Sequence, residues 1–188
     1  MTKNLSIDDF QDLWHLVTQK HSGQKYGGTV QDEQIEYINH IGSVVFEIIT
    51  ASQVEAMDTA LAIRCALLHD TLEDTNLTYA EIKEKYGNAV ADGVLALTKD
   101  QKIEGKHDKM IDSLRRIKIQ PLEIWAVKMA DRITNLYAPP YYWSNDKKKE
   151  YIEEAKLILS ELREGSPYLA DRLATKIDDY YRFLDCQG

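Results

Sequence analysis

The sequence predicts an all-α fold in a single domain spanning residues 1–188. Three observations carry that prediction. Apolar residues recur at helical spacing in nearly every segment. Cap and stop residues stand at the ends of those periodic runs. No stretch alternates apolar and polar residues as a half-buried strand would, and no internal repeat, low-complexity tract or linker breaks the chain.

Each element has its own justification. Ser6 reads as an N-cap, and Phe10, Leu13, Trp14 and Val17 follow at i, i+3, i+4 and i+7. That helix should end near His21, before Gly23. Residues 24–36, with Gly27 and Gly28, are expected to form a loop. A second helix starts near Tyr37 and turns Ile41, Val44, Val45 and Ile48 inward. The third, Met57 to Leu68, is rich in Ala and Leu and should be the most buried. Thr78 and Glu81 have capping-box spacing for a short helix stopped by Gly87. Asn88 or Ala89 to Thr98 gives the next. A polar loop, Lys99 to Gly105, leads to a helix from His107 to about Lys118. Pro121 suits the first turn of a helix through Tyr137, which Pro139-Pro140 breaks. Asn145 to Leu162 is a long charged amphipathic helix. Ser166-Pro167 opens the last one, which runs to about Leu184.

Composition bounds the function. A chain of 188 residues, 44% hydrophobic and 29% charged, can bury one full core. The net charge of −8 leaves no basic footprint, so no DNA or RNA partner is expected. Cys65 sits in an apolar stretch and reads as a small core residue; Cys186 lies in the terminal tail, and no disulfide framework is implied. Residues 1–4 lead into an amphipathic helix rather than an apolar signal segment, and no apolar run reaches membrane-span length. A cytoplasmic location without a membrane partner is therefore expected. The oligomeric state is left open.

The chemistry lies in scattered acids and histidines: His40, then His69-Asp70 with Glu73-Asp74, then Asp131 with Asn135. His69 and Asp70 close an apolar helix and point about 100° apart. Asp131 and Asn135 share a helix face one turn apart. Facing helices of a bundle can aim such side chains at one point. Singly, each has a plainer explanation. His40 could be a core-edge histidine, His69-Asp70 a helix terminus, Glu73-Asp74 a solvated loop, and Asp131-Arg132 a surface pair. Together they favour metal ligation. Val127, Met129, Ala130, Ile133 and Leu136 place Asp131 near the core, where an unpaired carboxylate is costly and a cation removes the cost. Two imidazoles and two carboxylates suit Mn²⁺, Fe²⁺, Co²⁺ or Zn²⁺ better than Ca²⁺. Such an ion would leave positions for water and a substrate oxygen. Glu73 and Asp74 are candidates for proton transfer. His15 and His107 read as surface residues, and His21 as ordering the loop after it. Tyr141, Tyr142 and Trp143 read as packing, and Lys147 to Lys149 as a solvated face.

These motifs resemble a known family. Tyr37-Ile38-Asn39-His40, Leu67-Leu68-His69-Asp70 with Glu73-Asp74, and Lys128-Met129-Ala130-Asp131-Arg132 with Asn135 resemble the HD-domain hydrolases of the RelA/SpoT type. The resemblance includes the small stand-alone alarmone hydrolases, the Mesh1-like proteins. His21-Ser22-Gly23-Gln24 is similar to the family's opening motif and Leu97-Thr98-Lys99 to its middle one; Tyr151, Glu154-Ala155 and Leu162 fit the tail helices. The resemblance implies a Mn²⁺-dependent hydrolase that removes the 3′-pyrophosphate from guanosine tetra- or pentaphosphate. It implies His40, His69, Asp70 and Asp131 as metal ligands and Glu73 and Asp74 as the acid/base pair. Asn135 would touch the substrate or a ligand. Lys25 and Lys99, inside the motifs, would be phosphate contacts.

The chain departs from the pattern around the base. Lys25-Tyr26-Gly27-Gly28 stands where the family usually carries an Arg-Lys pair, the Arg stacking on guanine. Tyr26 could stack too, but without charge. Gln31-Asp32-Glu33 lengthens the following loop, and Tyr137-Ala138 replaces the usual Arg or Thr after Asn135. Two alternatives stay open. One is an HD-domain phosphatase acting on a nucleoside monophosphate or the 2′-phosphate of NADPH. The other is a metal- and nucleotide-binding regulatory module without turnover, against which Glu73-Asp74 argues.

Overall fold

The Ser6 hydroxyl accepts the Asp9 N–H and the Asp9 carboxylate accepts the Ser6 N–H, so helix α1 (Ile7–Lys20) opens on a capping box. The structure is a computed structural model and describes residues 5–184. Residues 1–4 and Cys186, read above as the run into the first helix and as a tail cysteine, lie outside the described residues.

Helices α2 (Ile38–Ser52), α3 (Thr59–Leu68) and α8 (Leu122–Asn135) pack on one another at the centre. Every residue from Leu61 to Leu68 is buried, as the Ala- and Leu-rich sequence predicts. The Cys65 thiol lies in this core, bonded to the Val90 carbonyl, and burial pushes its pKa up. Asp58 caps α3 by accepting the Leu61 N–H, so that helix starts two residues later than expected. Around the centre stand α1, the pair α5 (Tyr79–Tyr86) and α6 (Asn88–Leu97), α7 (Lys106–Lys118), α9 (Asn145–Leu162) and α10 (Pro167–Tyr180). A short helix, α4 (Thr71–Asp74), follows α3 directly. No described helix is long and apolar enough to cross a membrane.

The structure corrects the reading of residues 24–36. They form a hairpin, not a loop: β1 (Lys25–Gly27) pairs antiparallel with β2 (Gln34–Glu36), setting Tyr26 opposite Ile35. Three-residue strands are too short for alternation to register in sequence. The Tyr37 N–H donates to the Gln24 carbonyl at 2.9 Å, tying the hairpin to the start of α2. Other differences are at ends. α8 stops at Asn135 rather than Tyr137, with Pro121 one position before its first turn. α10 gives way to a 3₁₀ turn over Tyr181–Phe183.

Gly87 ends α5 and begins α6 with φ 88° and ψ 171°, a region open essentially to glycine alone. A Cβ there meets no atom within 4 Å, so Gly87→Ala tests backbone strain alone. We expect it to lower unfolding stability by about 1–3 kcal/mol in denaturant titrations without changing the site.

Candidate metal centre and catalytic site

Each candidate ligand stands at a defined point of the central helices. His40 lies in the first turn of α2. His69 ends α3, and Asp70, next in chain, begins α4. Asp131 projects from the last turns of α8. The four converge. His40 Nε2 lies 3.2 Å from His69 Nε2, 3.6 Å from Asp70 Oδ2 and 3.5 Å from Asp131 Oδ1. His69 Nε2 lies 2.9 Å from Asp70 Oδ2 and 4.0 Å from Asp131 Oδ1. Both histidines and Asp131 are buried.

The donor set fits a divalent cation. His69 Nδ1 faces the Ala66 carbonyl at 2.8 Å, so it carries a hydrogen. The Nε2 lone pair of the neutral ring then points at a second imidazole nitrogen and at carboxylate oxygens. Like partial charges at such distances require a proton or a cation among them. Ligand atoms of His40, His69 and Asp131 all lie within 4.8 Å of one another, a spacing one ion can span.

Neighbouring groups fix the ligands. The Tyr37 hydroxyl donates to Asp70 Oδ2 at 2.5 Å. Lys128 Nζ donates to Asp131 Oδ2 at 2.9 Å and Asn135 Nδ2 to Asp131 Oδ1 at 2.6 Å. The buried Lys128 ammonium thus holds one carboxylate oxygen while the other faces the imidazoles. Sequence reading singled out neither Tyr37 nor Lys128 for a role. The available signal was spacing: Tyr37, at the N-cap of α2, and Lys128, within α8, each precede a candidate ligand by three residues, close to one helical turn. Arg132, buried beside Asp131, donates to Glu154 at 3.0 Å and stacks on Tyr151, its guanidinium carbon 4.1 Å from the ring centre.

The electrostatics follow from this crowding. Burial alone would lower the pKa of His69, but the Asp70 and Asp131 carboxylates lift it to about 9. Burial would raise Asp70, yet His69 and His40 hold its carboxyl well below the usual range. Asp131 is likewise held low against its burial, by Lys128 first and then by the histidines. Burial and the neighbouring Asp70 push the Tyr37 phenol up.

Two cavities open over this cluster. A polar one, of about 390 Å³, is lined by Glu73, Asp74, Lys99, Lys106, Lys109 and Lys147 among others. Glu73 Oε2 accepts the Lys99 N–H at 3.2 Å, and burial with the Asp70 and Glu73 charges pushes the Asp74 carboxyl up. A second, largely aromatic one, of about 420 Å³, is lined by Tyr26, Tyr137, Tyr142 and Trp143 among others. Tyr142 and Trp143 of the aromatic run 141–143, read as packing, thus form part of a cavity wall. The cavities share Tyr37, His40, Asn135 and Tyr151.

Lys25 lies apart from both. Its ammonium pairs with Glu36 across the hairpin at 2.8 Å. Tyr26 is held by Asn39, whose Nδ2 donates to its hydroxyl at 2.7 Å. His21 orders the adjacent loop as expected: its Nδ1 and Gln24 Oε1 lie 2.7 Å apart, and its ring stacks on Tyr37.

Fold and site define a class: a helical protein that gathers histidines and aspartates from three helices around one candidate ion position. The comparisons with known proteins agree. Residues 14–164 match the HD domain. Guanosine-3′,5′-bis(diphosphate) 3′-pyrophosphohydrolase MESH1 of Xenopus tropicalis is 31% identical over 166 residues, covering 85% of this chain and 87% of the relative. Its Danio rerio counterpart is 29% identical with the same coverage. A guanosine-3′,5′-bis(diphosphate) 3′-pyrophosphohydrolase of Aquifex aeolicus is 30% identical over 82% of this chain and 21% of its own length. A solved structure described as a metazoan ortholog of SpoT that hydrolyzes ppGpp superposes with TM-score 0.75 at 22% identity, over 96% of this chain and 97% of the other. The chain belongs to the HD-domain family of metal-dependent phosphohydrolases, in its RelA/SpoT-type, Mesh1-like branch.

Proposed function

We propose that this protein hydrolyses guanosine 3′,5′-bis(diphosphate) and the corresponding pentaphosphate at the 3′ position, releasing pyrophosphate and GDP or GTP. The observation that carries this reading is the placement of the His/Asp cluster where a lysine-lined cavity meets an aromatic one. A nucleotide lying across it would put its phosphates among cations and its base among rings. The names of the Xenopus, Danio and Aquifex relatives support the same substrate.

His40, His69, Asp70 and Asp131 would hold the ion, for which Mn²⁺ suits the mixed donor set. When bound, a divalent ion supplies polarisation of a phosphoryl oxygen and a lowered pKa for water. Lys128 and Asn135 hold Asp131 in position. Glu73, kept as an acceptor by the Lys99 N–H, takes the proton of the attacking water. The water oxygen joins the phosphorus next to the 3′ oxygen, and that phosphorus–oxygen bond breaks. Asp74, whose raised pKa keeps its proton longer, protonates the departing 3′ oxygen. Lys99 and its lysine neighbours in the polar cavity balance the phosphate charge, and Tyr26 offers a face to the base. Asn135, on the wall shared by both cavities and bonded to Asp131, would also touch the ribose.

Product analysis tests this reading. Purified protein with Mn²⁺ and guanosine 3′,5′-bis(diphosphate) should yield pyrophosphate and GDP in equal amounts. Orthophosphate alone, from this substrate or from NADPH, would point to a phosphatase instead. Glu73→Ala should lower kcat by about 10²–10⁴-fold with metal content unchanged. Loss of the ion in that variant would make Glu73 a ligand and overturn its role.

A further inference from the structure

The aromatic cavity contains a carboxylate that the chemistry above does not use. Glu33, in the 28–33 connection between β1 and β2, folds its side chain back over Gly28. A Cβ added at Gly28 would lie 1.9 Å from Glu33 Oε2, so only glycine leaves room for this arrangement. The Gly28 N–H donates to the Glu33 carbonyl at 3.0 Å, and the Thr29 N–H donates to Glu33 Oε2 at 2.8 Å. One carboxylate oxygen is therefore pinned to the backbone. Among the described residues no donor is bonded to the other, Oε1.

The surroundings make that oxygen informative. No Lys or Arg lines the aromatic cavity, and apart from the ligand His40 its only ionisable acid or base other than tyrosine is Glu33. The lysines line the other cavity. A nucleotide spanning both would thus meet positive charge at its phosphate end and one carboxylate at its base end. That polarity disfavours the reversed pose, since phosphates beside Glu33 would be repelled.

Guanine presents two adjacent N–H donors, N1–H and N2–H₂, which a carboxylate accepts together. Adenine presents an N1 lone pair at the corresponding edge, which a carboxylate repels. We propose that Glu33 is a specificity-determining residue that selects guanine by accepting from this donor pair, replacing cationic stacking with edge recognition. The inference rests on the proposed nucleotide reading and assigns the base contact to the stretch 31–33 that lengthens the hairpin. Gly28 serves as its positioning residue, because it gives the carboxylate its place.

Binding without turnover separates this inference from the activity. Titrations of GDP, inosine 5′-diphosphate and ADP into the Mn²⁺-supplemented protein can be followed by calorimetry. We expect GDP to bind about tenfold more tightly than ADP, with the inosine compound between them because it lacks the 2-amino group. Glu33→Gln should remove the preference, since its amide can bond Thr29 through oxygen and turn its NH₂ toward the base. Gly28→Ala should do the same by displacing an intact Glu33. Circular dichroism and melting temperature should show both variants folded. An undiminished GDP preference in folded Glu33→Gln, or no preference in the unaltered protein, would overturn the role of Glu33. Pyrophosphate release from guanosine 3′,5′-bis(diphosphate) by that same Glu33→Gln protein would leave the hydrolase reading standing. Failure of the unaltered protein both to bind GDP and to release pyrophosphate would sink the two together.

Discussion

Asp131→Ala should empty the metal site and bring turnover to background. Asp131 Oδ1 faces both imidazoles while Oδ2 is tied to Lys128, so the residue would supply one charged ligand oxygen in a fixed direction. Deletion removes that ligand and leaves the buried Lys128 ammonium uncompensated. Breaking a buried pair in this way typically costs about 3–5 kcal/mol, so a fall in melting temperature should accompany the loss of metal. Asp131→Asn separates the two effects. It preserves size and an acceptor oxygen for Asn135, yet its neutral amide is a poor ligand for a hard cation. The Asn variant should therefore stay folded but metal-poor and inactive. Elemental analysis and pyrophosphate release measured on the same samples check this. Turnover by a metal-depleted Asp131→Ala protein would refute the assignment.

Metal removal should make stability depend on pH in a defined direction. In the metal-free protein His69 titrates at about 9, against 6.5 in an unfolded chain. A raised histidine pKa stabilises the fold fully below the unfolded value and loses that contribution as pH rises through the folded one. The gap between 6.5 and about 9 corresponds to about 3 kcal/mol, lost across that window. Asp70 acts oppositely: its lowered pKa stabilises the fold above 3.8 and fades as pH falls below it. The chelated protein should thus be most stable from about pH 4 to 6.5 and weaken toward pH 9. A divalent ion bound there would take the place of the His69 proton, so binding should release protons and tighten as pH rises toward 9. Melting temperatures in EDTA and in Mn²⁺ across this range test both statements. A metal-free melting temperature that is flat between pH 6.5 and 9 would contradict them.

How much of this was legible in the sequence depended on the range of the interaction that decides each feature. Long helices announce themselves through periodicity and caps, and the Ser6, Thr78 and Ser166 caps all stand where sequence places them. His69-Asp70 was legible because two ligand types end an apolar helix. The 25–36 hairpin was hidden because its short strands are fixed by pairing and by the contact of Tyr37 with Gln24. Lys25 reads as a free cation until the register places Glu36 opposite it. The work of Tyr37 and Lys128 emerges only when α2, α3 and α8 close on one another, since each bonds a carboxylate whose direction the packing sets. In sequence Glu33 is only part of a stretch that lengthens a loop, because its folding back over Gly28 is a matter of turn geometry.

His40, His69, Asp70 and Asp131 should together hold one divalent ion. Anomalous X-ray scattering at the manganese absorption edge, from crystals of the protein grown with Mn²⁺, tests it most directly. One strong peak is expected within bonding distance of both Nε2 atoms and of an oxygen from each carboxylate. Crystals that hold manganese elsewhere, with His40 and His69 bridged only by a proton, would contradict it.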